Sequence, residues 1–457
     1  VSGTLSFNFL ASGTEISQPV DLTSLPLVAL IPPAFNSIPA ATMANGTFTI
    51  EGVPTGTYYL KAGNSQYFVL SADTVDLSFD VLSKPTATFA TMPTNLTLNI
   101  TGLAAWQTTD ELALFCPQTG TAAYSMQLSA SAGVPAANDT SVTGLVYNLS
   151  GADERALIDT TAGDQAFITQ LATQTDGTRS YTTIARTFSP SPLTITNGSP
   201  VTIAGAFATP TSNATLTTVW DRPAFATEVL AHAPGFASKN WSTFALTALP
   251  LGSTHGRYGE GPDIIVYAPG YTNDSSTLTT SWAYADPYAA GWTRFVFLRF
   301  YQYRYVQMGS ATPAAVFAEL VDSRDLASIS GPIEPLIGFP QNPKLNGMDI
   351  SGSAPVSNIG TGALLSWDPP AIGTASRYYV RVRALLVSQG ATTFNTIATL
   401  ETASTQLELP PNTLITGQTY VIDIAARSAA GVDLAAKPDA YGVPDATASM
   451  VTTTVMP

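Results

Sequence analysis

Apolar and polar residues alternate with a period of two along most of the 457-residue chain. That spacing turns successive side chains to opposite faces of a β-strand. In TNLTLNITGL, Leu96, Leu98 and Ile100 point one way and Asn95, Thr97, Asn99 and Thr101 the other, which predicts a half-buried antiparallel strand with a polar outer face. AFITQLAT, SYTTIARTF, SPLTITNGSPVTIAG and ATLTTVW read the same way, and evenly spread Gly and Pro supply a turn roughly every ten residues. Helical spacing is brief. It covers Asp221 to Ala233 and Thr312 to Ala327, where an Asp or Thr precedes a proline of the first turn, and a shorter stretch, GADERALID, around Glu154. The pattern predicts an all-β, multi-domain chain of β-sandwich modules with a few short helical insertions.

One stretch departs from the simple alternation. WTRFVFLRFYQYRYVQMG, Trp292 to Gly309, holds seven aromatic residues and three arginines in eighteen positions. Phe295, Phe297, Arg299, Tyr301, Tyr303 and Tyr305 fall on one face, and Arg294, Val296, Leu298, Phe300, Gln302, Arg304 and Val306 on the other. Both faces are substantially apolar, which predicts a central strand covered on both sides, with its Tyr-rich end reaching solvent. At about 3.3 Å per residue, positions 294 to 308 span on the order of 50 Å. No Gly or Pro interrupts them, so a bend or bulge is expected. Guanidinium stacking on tyrosine, and the enrichment of both residue types at interfaces, make Arg299, Tyr301, Tyr303, Arg304 and Tyr305 the candidate interface or ligand residues.

Three modules are expected, over residues 1–88, 89–340 and 345–457. The first runs from VSGTLSFNFL to GTFTIEGVPTGTYYLKAG, where Phe48, Ile50, Val53, Tyr58 and Leu60 fall inward and Gly52 and Gly56 permit a tight turn. The order G-x-F-x-I-x-G-V-P-x-G-x-Y-x-L resembles the prealbumin-like β-sandwich of carboxypeptidase regulatory domains and surface-protein stalk repeats. Some stalk relatives carry an internal Lys–Asn isopeptide bond, but Val1 to Leu10 contains no Lys. In the last module Trp367 sits in ALLSWDPP, RYYVRVRALL alternates, and Leu414 and Tyr420 precede a final x-V-x-I-A-A strand. This resembles a fibronectin type III domain, an Ig-like sandwich. The resemblance implies a Tyr packed at a corner between the sheets, a Leu plug, and a spacer or adhesion role without catalytic residues. The middle module, a large β-rich region, resembles no family by its motifs.

Charged residues are only 11% of the chain and the net charge is −14. Such a surface offers no cationic track for phosphates, so nucleic-acid binding is not expected. The single Cys116 lies in the apolar run ELALFCPQ and reads as a small buried hydrophobe, which leaves no internal disulfide. No apolar run is long enough to predict a membrane span. The chain opens directly on a strand pattern, as a processed mature protein would, or as one would whose leader precedes residue 1.

Signals for chemistry are thin. His232 reads as a helix C-terminal residue. His255, followed by Arg257, Glu260 and Asp263 in a Gly-rich loop, could present a His–Asp pair, but no G-x-S-x-G elbow completes a hydrolase. No zinc or EF-hand motif occurs, and Asp110–Glu111, Asp322–Asp325 and Asn273–Asp274 read as solvated turns or caps rather than Ca²⁺ ligands. Neither metal nor cofactor is implied. Sequons occur at Asn45, Asn95, Asn99, Asn138, Asn148, Asn197, Asn213, Asn240 and Asn273, nine candidate glycosylation sites, all before residue 274.

These features point to a non-enzymatic, secreted or cell-surface protein of structural or adhesive role. The expected partners are further copies of itself or other surface proteins. A self-assembling fibre or coat subunit could exchange strands through VSGTLSFNFL or ASMVTTTVMP. The alternative is a carbohydrate-binding accessory protein that offers the 292–309 strand to polysaccharide. A secreted hydrolase centred on His255 comes third.

Overall fold

The computed structural model describes residues 1–10, 15–22, 25–40, 42–151, 156–211, 213–232, 240–250, 261–361, 363–440 and 442–457. The fold is all-β, as the alternation predicts. Among the described residues the α-helices are Met126–Ser129 and Arg222–His232. The second matches the expectation for Asp221 onwards. Asp221 Oδ1 and its carbonyl both face the Ala224 N–H, Pro223 lies in the first turn, and Phe225 and Val229 are buried.

A single hydrogen-bonded ribbon runs through the molecule. From the edge strand Asn36–Pro39 it passes through Leu27–Ile31, Tyr58–Ala62 and Gln66–Leu70, then pairs in parallel with Ala391–Thr402. It continues through Arg377–Ser388, Tyr420–Ala429, Asp445–Val451, Ala314–Asp325, Thr293–Val306 and Asn240–Leu249. Asp263–Tyr267, Arg179–Phe188, Phe167–Asp176 and Glu111–Cys116 complete it. Strands of all three predicted segments therefore share backbone pairing. The apolar core crosses the first predicted boundary: Leu5, Phe48, Leu60 and Val75 form a cluster of their own, but Tyr59, Tyr67 and Val69 share a cluster with Trp220 and Phe300, and Leu10 and Leu82 pack with Phe115 and Phe295. It crosses the second as well, because Phe300 and Leu320 belong to one cluster with Ile424 and Ala448.

Near the C-terminus a second sheet, in the order Met348–Asp349, Gln341–Leu345, Leu364–Asp368, Gln406–Glu408, is the partner layer of a β-sandwich. Trp367 is buried edge-on against Tyr378 at 5.2 Å, Leu414 is buried, and the Ile415 N–H donates to Tyr420 Oη at 2.9 Å. That bond ties the loop entering the Tyr420 strand to the strand itself. Tyr420→Phe keeps the ring and removes the acceptor, so it is expected to lower stability by about 1 kcal/mol. Urea unfolding checks this, and an unchanged midpoint would show that the bond carries no net weight.

In the first segment Phe48, Ile50, Tyr58 and Leu60 are buried, and Gly52 and Gly56 adopt φ of 75° and 119°, which suits the expected turn. The strand Asn95–Thr101 also buries Leu96, Leu98 and Ile100 and leaves its alternate residues outward. Cys116 is fully buried.

Three expectations are corrected. Thr312 to Ala327 is not helical: Ala314–Asp325 is a twelve-residue strand paired on both sides. Its Ala, Glu and Leu favour helix locally, but Val316, Ala318, Leu320 and Asp322 alternate inward, and the two neighbours satisfy its backbone. Thr293–Val306 runs for 14 residues without the expected bulge and holds unshifted register with both neighbours. Nor are the terminal strands free for exchange. Ser2–Thr4 lies between Thr74–Asp76 and Thr47–Thr49, Ser6–Phe9 between Phe79–Val81 and Ile16–Pro19, and Asp445–Val451 between Ala314–Asp325 and Tyr420–Ala429. Of the short helix expected over GADERALID, 152–155 lie outside the described residues, and Ala156 to Asp159 is not helical, with Ala156 bridged to Phe89 and Asp159 to Thr194.

Candidate functional site

Register across the ribbon determines which side chains share a face. Trp241 stands opposite Tyr301, Tyr301 opposite Glu319, Glu319 opposite Ser449, Ser449 opposite Ala425, and Ala425 opposite Tyr379. Beneath this row the other face carries the core, with Phe244, Phe300, Leu320, Ala448 and Ile424 all below 3% exposure. The row itself looks away from that core.

Aromatic rings gather at one end of this outer face. Trp241 and Tyr301 lie nearly parallel, 6.1 Å apart, while Tyr271 meets Trp241 edge-on at 5.0 Å. Tyr303 contacts Tyr271 at 5.0 Å and Tyr305 at 5.3 Å, and Phe317 abuts Tyr301 at 5.3 Å. Tyr305 is 63% exposed, Tyr271 45% and Phe317 38%. Arg299 stacks over the Tyr301 ring at 4.8 Å and its Nε pairs with Glu319. Burial, with the hydroxyl of Tyr271 second, holds the Tyr301 phenol well above its ordinary pKa. Apart from the Arg299–Glu319 pair the cluster is built of aromatic side chains alone.

The predicted strand faces hold, so Tyr301, Tyr303, Tyr305 and Arg299 come together. Arg304 does not join them. It points to the opposite face, 8% exposed, and donates to the carbonyls of Gly352, Val451 and Thr452. Its role is to clamp a turn, which removes it from the ligand candidates. Tyr303 and Tyr305 meet at 76°, and Tyr301, parallel to Trp241, is only 8% exposed. The exposed rings are not coplanar with one another, a geometry suited to an interdigitating protein surface more than to a flat sugar platform.

Further along the face lies an open groove of about 460 Å³ lined by Glu319, Tyr379, Arg381, Asp423, Arg427 and Ser449 among others. Its charges are matched across strands. Arg381 and Arg383 flank Asp423, and Arg427 holds Asp445 at 2.8 Å and the Tyr379 hydroxyl at 3.2 Å. Burial raises the pKa of Asp423 and of Asp445, with the neighbouring arginines pulling the other way. These pairs hold register between strands distant in sequence.

Most titratable groups singled out in the sequence are engaged structurally; Asp263, at the start of Asp263–Tyr267, has its carboxyl pushed up to about 7 by burial, with Glu111 second. Asp110 accepts from Gln170 at 2.9 Å, Asp325 caps the Ala327 N–H, and Asp274 pairs with Arg222 at 2.9 Å. Asp322 binds Arg324, and His232 Nε2 lies 3.7 Å from Glu228, which accepts the Phe339 N–H. Among the described residues no three His, Cys, Asp or Glu side chains form a metal-holding group. His255, Arg257 and Glu260 lie outside the described residues.

Of the sequons, Asn45, Asn95, Asn99, Asn138, Asn148, Asn213 and Asn273 are exposed. Asn197 is half-buried and its Oδ1 holds the N–H groups of Thr91 and Met92. Asn240 is 3% exposed and accepts from Gln302 at 2.6 Å, so the folded protein leaves no room for a glycan there. That candidate is withdrawn.

Sequence reading missed Trp241, Tyr271 and Phe317. Trp241 and Phe317 alternate outward within their own strands and Tyr271 sits on the two-residue strand Tyr271–Thr272, but only inter-strand register brings the three beside the tyrosines. No helix among the described residues is long and apolar enough to cross a membrane. No protein-family model matches the chain, and no curated protein is similar to it.

Proposed function

We propose that this is a non-enzymatic, secreted or cell-surface protein with a structural or adhesive role, and that it makes its contacts through the aromatic face around Tyr271, Tyr303, Tyr305 and Phe317. One observation carries the reading: solvent-exposed aromatic side chains cluster on one face of a paired strand layer in a chain of which only 11% is charged. Contiguous apolar patches of this kind mark interaction surfaces, and Tyr, Trp and Arg are the residues enriched where protein contacts are strongest.

The module resemblances support the same reading. A prealbumin-like first sandwich and a fibronectin type III-like last one would act as spacers, and glycans on the exposed sequons would solvate a charge-poor surface. Because the terminal strands are paired on both sides, assembly by face contact is favoured over strand exchange.

The test is to replace Tyr305 and Phe317 together with serine. Both are outward, so the fold is expected to survive with a melting temperature close to that of the unaltered protein. Binding to envelopes of the source cells, and particle size by sedimentation velocity, are then compared. Loss of both cell binding and self-association fits the proposal. Unchanged binding and unchanged particle size would remove this face from consideration.

A further inference from the structure

The groove midway along the outer face owes its shape to strand register. It crosses five strands, from Thr399 to Glu319, about 19 Å at ordinary strand spacing. Register sets the short side chains of Ala425 and Ser449 side by side on its floor, between the long ones of Tyr379 and Glu319. Every lining residue except Ala425 carries a polar group. An apolar occupant would leave those groups unpaired, so the groove suits a hydrophilic one.

The two arginines of the lining differ in what they have left to give. Arg427 is engaged: it donates to Asp445 at 2.8 Å, to the Tyr379 hydroxyl at 3.2 Å and to the Ala440 carbonyl at 2.8 Å. Arg381 is not. Its Nε lies 3.0 Å from Asp423 Oδ2, its side chain is 53% exposed, and its terminal nitrogens make no hydrogen bond among the described residues. Arg383 pairs with the same carboxylate at 2.5 Å, so two guanidiniums meet one acid at this end. Asp423, 7% exposed at its side chain, therefore holds Arg381 from below and leaves the planar fork of its terminal nitrogens free. Such a fork matches a carboxylate in two parallel hydrogen bonds. Along the rest of the lining the hydroxyls of Thr399, Thr447 and Ser449 make no hydrogen bond among the described residues. A hydroxyl both donates and accepts, which is what the hydroxyls of a sugar ring require.

We propose that this groove binds a hexuronate residue of an acidic polysaccharide, with its carboxylate on the Arg381 fork and its ring hydroxyls on Thr399, Thr447 and Ser449. An acidic peptide would satisfy the fork but not the three hydroxyls, and its aliphatic stems would find only Ala425 and the Tyr379 ring for cover. The inference goes beyond the aromatic contact and stands without it, since Tyr305 and Phe317 lie outside the lining.

Isothermal titration of the full chain with the trimers of galacturonate, glucuronate and mannuronate tests it. At least one is expected to bind, and more weakly as salt is added. Its methyl ester, which keeps every hydroxyl and loses the charge, should bind roughly tenfold more weakly or worse. Arg381→Gln should cost the acid a similar factor and leave the melting temperature unchanged, because Arg383 still holds Asp423. Ala425→Leu fills the floor without altering charge and should abolish binding. Tyr305→Ser/Phe317→Ser should bind the uronate as the parent does, so failure of the aromatic contact and failure of the groove are read separately. No binding of any of the three trimers at millimolar concentration would overturn the proposal, as would equal binding of acid and ester. A tri-glutamate peptide that binds as tightly as the uronate, and loses as much in Arg381→Gln, would overturn the assignment to a saccharide.

Discussion

Replacing Arg377 with alanine is expected to destabilise the protein by about 3–5 kcal/mol, the cost of leaving a buried carboxylate without its partner. Arg377 and Glu401 are 0% and 1% exposed, and their Nε and Oε2 lie 3.0 Å apart. The guanidinium also donates to the Leu434 carbonyl at 2.7 Å and lies over the Phe68 ring. Glu401 in turn accepts from Gln66 at 3.2 Å. The pair therefore sits at the seam where Gln66–Leu70 joins Ala391–Thr402, and its loss should loosen the first segment. Burial raises the Glu401 pKa, with Arg377 opposing the shift. Without Arg377 the acid would take up a proton, which limits the damage at low pH. Urea unfolding at pH 7 should show the shift, with amide exchange rising first in 66–70 and 391–402. Adding Glu401→Gln to Arg377→Ala removes the stranded charge and should recover part of the loss. A single variant within 1 kcal/mol of the parent would mean that the seam is held by packing alone.

Stability should also fall as pH rises from about 4 to about 7. Burial pushes the Asp322 carboxyl up to about 6, against the pull of Arg324. A carboxyl with a raised folded pKa keeps its proton in the native state over a range where the unfolded chain, near 3.8, has already released it. The native state is therefore favoured in mild acid, and the advantage is lost as pH rises through about 6. Two pKa units correspond to about 3 kcal/mol. Glu401, Asp423 and Asp445 are shifted in the same direction by burial. Opposing them, hydrogen bonds from Ser276 lead in holding Asp274 near 2, so its contribution is present above the unfolded value and disappears as pH falls towards 2. Maximum stability is thus expected near pH 4. Melting temperature against pH reads this directly, and Asp322→Asn should flatten the decline above pH 5. A curve that instead rises steadily from pH 4 to 8 would show that the ion pairs outweigh the burial.

Much of this was legible in the chain itself, and the reasons are local. Period-two alternation determined the all-β class, because a strand buries one face whatever its neighbours are. It also assigned each residue of Thr293–Val306 to its correct face and put Cys116 inside. Asp221 and Pro223 were enough to start the Arg222–His232 helix, since capping depends only on adjacent residues. Where alternation and helix propensity competed, in Ala314–Asp325, local reading failed: pairing with two strands outweighed Ala, Glu and Leu. Only the tertiary structure decided the partners. No local signal says that residue 319 will stand beside residue 449, or that Trp241 and Tyr271 will complete a patch begun by Tyr301. Register between distant strands is set by the packing of a shared core and by cross-strand ion pairs, and those exist only once the chain has folded.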